Sequence, residues 1–341
     1  MEVRRRIVAF VTKLALVCAG SAGFSADTIR VYTALEADQI QAYEQSFNKT
    51  YPDVKIEWVR DSTGIVTSKL LAEKAAPQAD VVMGLAASSL LLLEKENMLM
   101  PYAPKGVEKL SRKYVSEHNP PYWVGMDVWG ATICFNTVEA AKQGLPRPES
   151  WKDLLKPVYK GKIVMPNPAS SGTGYFDVSA WLTLFKEKGG WDYMDKLHDN
   201  IGLYVHSGSK PGKMAASGEY PIGITFEYRA AKLKAEGAPI DLIFPKEGLG
   251  WDLEATGIMK GTKHLDGAKK LADWCASRDA NELYKENFAV VAYPGVAQPI
   301  PNLPANFEQM LVKQDLKWSA ANRERILAEW TKRYDGKSEK K

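Results

Sequence analysis

Residues 29–33 alternate apolar and polar positions as a half-buried strand does, and the period then changes. Ile40, Tyr43 and Phe47 fall on one helical face, with Asp38 as the expected N-cap and Gln41 closing a capping box. Residues 54–59 alternate again. A helical stretch through Leu70 and Leu71, a strand over 80–84 and a helix over 88–97 follow. This β-α-β-α-β-α order predicts a mostly parallel sheet covered by helices.

A second region opens with a long strand over 129–136, followed by a short helix over 139–143 and a capping box at Ser150-Trp151-Lys152-Asp153. The short strand 163–165 leads through a small-residue loop into a helix on which Val178, Trp181, Leu182 and Phe185 share a face. Residues 220–226 read as a buried strand, with further strands near 240–244 and 252–258. Asp266 is the expected cap of a helix with Ala268, Leu271, Ala272 and Cys275 inward. Ser319 is the expected cap of the last helix, with Ile326, Leu327, Trp330 and Tyr334 periodic. The polar residues 336–341 read as a disordered tail. No internal repeat occurs.

Length and pattern predict two α/β lobes, one from 27–130 plus about 255–290 and the other from 131–254 plus about 291–335. A chain that returns from the second lobe to the first describes a hinged clamshell. Ligands of such folds sit at the carboxyl ends of strands, between the lobes.

The N-terminus reads as an export signal over residues 1–26. Arg4, Arg5 and Arg6 precede a mostly apolar run to Ala19, and small residues follow. Cys18 lacks the small-residue box of a lipoprotein, and the run is too short for a membrane span. Without this segment the formal charge falls from +4 to +1, so the chain carries no electrostatic footprint for nucleic acid or anionic membrane. Cys134 and Cys275 read as two separate buried thiols. His118, His198, His206 and His264 show no metal-ligand spacing, and neither a metal nor a cofactor is expected.

The richest chemistry lies at Asn167-Pro168-Ala169-Ser170-Ser171-Gly172-Thr173-Gly174. Free backbone N–H groups at a helix start, a positive dipole end and several hydroxyls are what an oxyanion needs. The plainer role is an ordinary Ser/Thr N-cap. The other loops after strands carry Leu35 and Glu36, Thr63, Leu85 and Ala86, Ser207, Glu227 and Tyr228. Hydroxyls and N–H groups with nearby carboxylates suit a small zwitterion. Each residue has an alternative role: Glu36 as helix-start acid, Glu227 with Arg229 as a solvated surface pair, Tyr228 as core, Ser207 as plain loop. No nucleophile elbow and no P-loop occur, so no catalytic residue is assigned.

Taken together, Val31-Tyr32-Thr33, Ala79-Asp80-Val81-Val82, the Pro148–Gly161 run, Pro168-Ala169-Ser170-Ser171-Gly172-Thr173 and Ser217-Gly218-Glu219-Tyr220-Pro221 resemble the periplasmic solute-binding proteins of ABC importers, in the branch that contains the ferric-iron binders. The Asn-Pro-Ala-Ser-Ser-Gly-Thr-Gly loop and Gly223-Ile224-Thr225-Phe226-Glu227-Tyr228-Arg229 are most similar to the 2-aminoethylphosphonate-binding proteins. The resemblance implies a type II two-lobed periplasmic-binding-protein fold, a monomer, a permease partner and no enzymatic activity. It also implies anion contacts at Ser171, Gly172 and Thr173. Glu36 occupies the place of an iron ligand, but the paired tyrosines fall on Tyr228 and Arg229, and the acidic ligand falls near Leu85. The metal half of the site is dismantled while the anion half is kept. A phosphonate on the Ser-Gly-Thr loop, with an ammonium near Glu36 or Glu227, fits what remains; ferric iron, a polyamine or thiamine, and inorganic phosphate are the alternative ligands within the same fold.

Overall fold

The computed structural model describes residues 27–340. The export signal read over residues 1–26 lies outside the described residues. The strands are β1 (Asp27–Thr33), β2 (Val54–Arg60), β3 (Val81–Ala86), β4 (Leu99–Met100), β5 (Val124–Asn136), β6 (Ile163–Pro166), β7 (Ile201–Val205), β8 (Ile222–Phe226), β9 (Ile240–Ile243), β10 (Trp251–Met259) and β11 (Val290–Val291). The helices are α1 (Ala37–Thr50), α2 (Thr63–Ala72), α3 (Ala87–Lys95), α4 (Thr137–Gln143), α5 (Gly172–Leu184) and α6 (Lys186–Asn200). After them come α7 (Lys210–Ser217), α8 (Glu227–Ala235), α9 (Leu265–Cys275), α10 (Arg278–Tyr284), α11 (Phe307–Met310) and α12 (Leu316–Tyr334).

β1 pairs in parallel with β2 and β3, as the alternating βα units require. β10 then runs antiparallel between β3 and β5. β5 is buried along its whole length and serves both lobes. Up to Gly130 it pairs with β10 and β11; from Ala131 it pairs with β8 and β9. β6 lies parallel to β8 and β7 on the far side. The chain therefore passes between lobes within one continuous strand and returns at Gly250, whose carbonyl accepts from the Ala131 N–H at 2.8 Å.

Aromatic side chains fill each lobe. Tyr43 of α1 meets Tyr284 edge-on at 5.1 Å between ring centroids, and Trp151 meets Trp181 at 5.4 Å. Each such ring taken from water contributes roughly 1.5–3 kcal/mol. α12 packs on α3 of the first lobe, while its Trp330 stands edge-on to Tyr204 of the second. The last helix thus straps both lobes and belongs to neither alone. Cys134 and Cys275 are separate buried thiols. Among the described residues no helix is long and apolar enough to cross a membrane.

Several caps differ from expectation. Glu36, not Asp38, caps α1, in a capping box with Gln39, because the Asp38 carboxylate is taken by Tyr228 and Lys232 from the other lobe. His264 precedes α9, and Asp315 caps α12 by accepting from the Lys317 N–H at 2.8 Å, which leaves Asp266 and Ser319 inside their helices. Ser150 does accept from the Asp153 N–H, but the stretch closes only a 3-10 turn over Lys152–Leu155. β5 begins at Val124 rather than at Trp129. Residues 336–340 are not a loose tail. Ser338 forms a bridge with Tyr204, whose carbonyl accepts from the Glu339 N–H at 2.8 Å, because edge strand β7 leaves backbone groups to satisfy.

Candidate functional site

Helices from opposite lobes begin at one point. α2 starts just after β2 and α5 just after the loop from β6, so the N-terminal N–H groups of both face the seam. The Gly64 N–H donates to the Ser170 carbonyl at 2.8 Å. A Cβ at Gly64 would stand 2.1 Å from the Ala169 carbonyl oxygen, and one at Gly172 would stand 2.7 Å from Thr63 Oγ1. Only glycine lets the two backbones approach this closely. Two positive dipole ends therefore converge on the same cleft.

That cleft has a cavity volume of about 50 Å³, on the order of three to five waters. One end is lined by Ser62, Thr63, Ser171, Gly172, Thr173, Ser207 and Gly208. Ser171 caps α5 only weakly, its Oγ accepting from the Gly174 N–H at 3.4 Å, which leaves the hydroxyl available to an occupant. The lining also includes Glu36 with its partner Arg60, Gln39 and Glu254, with Trp129 and Phe226 as apolar walls. The cleft thus has a donor-rich pole and an acidic pole.

The acidic pole is unusual in its electrostatics. Glu254 of β10 stands opposite Asp127 of β5 in the antiparallel ladder, so both side chains lie on one face of the sheet. Burial and the neighbouring carboxyl push Asp127 well above the ordinary aspartate range, and burial lifts Glu254 to about 8. Glu227 is fully buried behind them. Its Oε2 accepts from the Gly130 N–H at 2.8 Å, and burial raises it to about 8 as well. Among the described residues, no lysine, arginine or histidine forms an ion pair with any of these three.

Glu36 has different company. Its two oxygens face Arg60 at 3.4 Å and Arg229 at 3.0 Å. Tyr228 donates to Asp38 at 2.9 Å, and Lys232 pairs with the same carboxylate. With the Asp61–His206 contact at 3.0 Å, these groups tie the lobes together across the cleft mouth. The bound partners hold Asp38 well down, at about 2.

The expected site residues therefore divide. Thr63, Ser171, Gly172, Thr173, Ser207 and Glu36 line the cleft. Leu35, Leu85 and Ala86 are core, and the Gly84 backbone takes their place on the wall because Leu35 packs directly beneath it. Ser170 faces away, its hydroxyl donating to the His206 carbonyl at 2.7 Å. Glu227 and Arg229 are buried rather than a surface pair, and Tyr228 serves the interlobe contact. Glu254, Gln39, Arg60 and Trp129 were missed. Glu254 lies inside an alternating strand, and no local signal distinguishes an inward acid from a solvated one. His206 contacts Asp61 at 3.0 Å, and among the described residues no hydrogen bond joins it to Ser171.

A family model described as bacterial extracellular solute-binding protein matches residues 76–319. A probable ABC transporter periplasmic-binding protein of Sinorhizobium fredii is 26% identical over 315 residues, 90% of this chain and 86% of that one. The periplasmic binding protein AfuA of Actinobacillus pleuropneumoniae, solved with fructose-6-phosphate bound, superposes with a TM-score of 0.84 at 27% identity, over 90% of this chain and 98% of that one. Iron-bound HitA of Pseudomonas aeruginosa shares the fold, with a TM-score of 0.75 at 18% identity over 89% and 98% of the two chains. Two lobes joined through shared strands, a ligand-sized cleft between them and these likenesses lead to one conclusion: the chain belongs to the bacterial extracellular solute-binding proteins, with the type II periplasmic-binding-protein fold.

Proposed function

We propose that this protein is the solute-binding component of an ABC importer and carries a small aminoalkylphosphonate, 2-aminoethylphosphonate being the best match. On this reading it is exported by residues 1–26, acts as a monomer without catalysis, and hands its ligand to the membrane permease. One observation carries the reading: a cleft of about 50 Å³ lined both by two helix N-termini with their hydroxyls and by Glu254, a carboxyl that forms no ion pair. The phosphonate takes the donor-rich pole, where Ser171, Thr173 and Thr63 supply charge-assisted hydrogen bonds. The ammonium takes the acidic pole. Glu36 is an unsuitable amine partner because two arginines already hold it.

Ferric iron fits less well, because Tyr228 is engaged by Asp38, Arg229 stands at the second tyrosine's place and Leu85 is core. A sugar phosphate is the second reading, favoured by the likeness to the fructose-6-phosphate complex. It would need wider lobes than these. Isothermal titration with 2-aminoethylphosphonate, ethylphosphonate, phosphate and fructose 6-phosphate separates the readings. Saturable heat with the first, much weakened in the others, is expected. Tight binding of fructose 6-phosphate alone, or a visible-absorbing complex with ferric iron alone, overturns the assignment.

A further inference from the structure

We propose that Glu254, backed by Asp127, is a cation-recognition subsite on the cleft floor that accepts the ligand's ammonium group in exchange for a proton. The proposal rests on the aminoalkylphosphonate reading and names the residues that read its amine.

Three features of the structure point there. Glu254 lines the cleft, and its Oε2 has no hydrogen-bond partner. Asp127, fully buried directly across the ladder, accepts from no N–H or O–H of another residue and meets only the Glu254 carboxyl, while Gln39, 2% exposed on the cleft wall, has a free amide N–H₂. Such groups are ordinarily paired when buried, so a cluster of them beside a cavity expects a polar occupant. On its other side Glu254 faces Ala86, so β3 supplies no competing charge. The acids lack the arrangement of a metal centre, since no group of three or more His, Cys, Asp or Glu placed to hold an ion occurs among the described residues. An N–H donor cation suits such a floor, since it supplies both the hydrogen bonds and the counter-charge.

The ionisable groups that act on this pair are acids and phenols. Glu227 comes from the start of α8, Glu36 from the loop before α1, Tyr43 from α1 and Tyr284 from α10. The cation on the cleft wall is Arg60, which is committed to Glu36 and to the Leu35 carbonyl. Two carboxyls on adjacent strands in such a place do not both ionise in the empty protein; they share a proton. When R–NH₃⁺ arrives it donates to the Glu254 carboxylate, and the displaced proton leaves to solvent. One carboxyl O–H bond breaks and its proton passes to water or buffer, no other covalent bond changes, and the floor exchanges one positive charge for another.

The test is titration calorimetry of wild type, E254Q, D127N and E36Q with 2-aminoethylphosphonate and with ethylphosphonate, in buffers of different ionisation heat. Comparing two proteins with one ligand cancels the ligand's own phosphonate ionisation. Wild type is expected to prefer the amine-bearing ligand by roughly 10- to 100-fold, the worth of a charge-assisted hydrogen bond. In E254Q that ratio collapses to about threefold or less, and about one proton fewer is released per ligand. D127N, should E254Q fail to fold, releases fewer protons while keeping most of the preference. A preference retained in E254Q but lost in E36Q overturns the subsite and leaves the functional reading standing. A wild type that binds both phosphonates equally, or neither, overturns the reading itself and the subsite with it.

Discussion

The two ends of the cleft solve opposite problems in opposite ways. The donor-rich end is built from backbone N–H groups and hydroxyls that each helix start would present in any case, so it costs the fold little. The acidic end places Asp127 and Glu227 in the interior and Glu254 half-buried beside them, with no ion-pair partner among the described residues, an arrangement that disfavours their ionised forms until something cationic arrives. One pole is a by-product of helix geometry. The other is a standing electrostatic debt, and such a debt is informative because folding alone gives no reason to carry it.

The sharpest way to break the contrast is to prevent the poles from meeting. Gly64→Val puts side-chain atoms where the Ala169 carbonyl stands 2.1 Å away, so the lobes cannot close. Affinity should fall by about 100-fold, the scale of severe overpacking, and small-angle scattering should show the empty protein opened, since the contact at Gly64 is already made without ligand. Next in size is the donor-rich pole. Thr173→Ala should weaken any phosphonate by roughly 10- to 100-fold in titration, irrespective of an amine, because a bond to a charged group is lost.

Arg229→Ala removes the guanidinium that joins Glu36 to the second lobe, a nearly buried pair. A loss of about 5- to 30-fold in affinity is expected, with small-angle scattering showing a wider empty protein. Unchanged scattering would mean that the pair does not hold the lobes.

The last prediction concerns stability rather than affinity and reads the acidic pole without ligand. Glu254 and Glu227 sit near 8 in the folded protein against an ordinary 4.5. Between those values the folded state binds more protons than the unfolded one, so stability falls as pH rises from 5 to 8. The slope is about 1 kcal/mol per pH unit for each carboxyl, and E254Q should flatten it. Chemical denaturation at four pH values checks this. A flat wild-type profile would mean that the carboxyls are already compensated.

The donor-rich pole was legible because its signal is local. A short apolar strand, then Ser170 to Thr173, then a helical period, are consecutive in the chain, and Ser171 and Thr173 reach the cleft as expected. Glu36 was legible as a cleft residue but not in its role, because Arg229 comes from the other lobe. Leu35, Leu85 and Ala86 lie in the core rather than on the cleft lining, because a position after a strand does not say which side chain turns inward. The cap of α1 moved by two residues for the same reason as Glu36: a residue from the second lobe claimed Asp38.

The sequence by itself determined the βα order, the two lobes, the core faces of the helices and the loop that can hold an oxyanion. Each follows from periodicity or turn chemistry over a few neighbouring residues. Only the tertiary structure decided that Glu254 meets Asp127, that β5 serves both lobes, and that Glu36 and Asp38 are spent on holding the lobes together. Those facts depend on strand register and lobe contact between residues more than a hundred positions apart. An acid's local neighbours are the same whether it faces water or a buried partner.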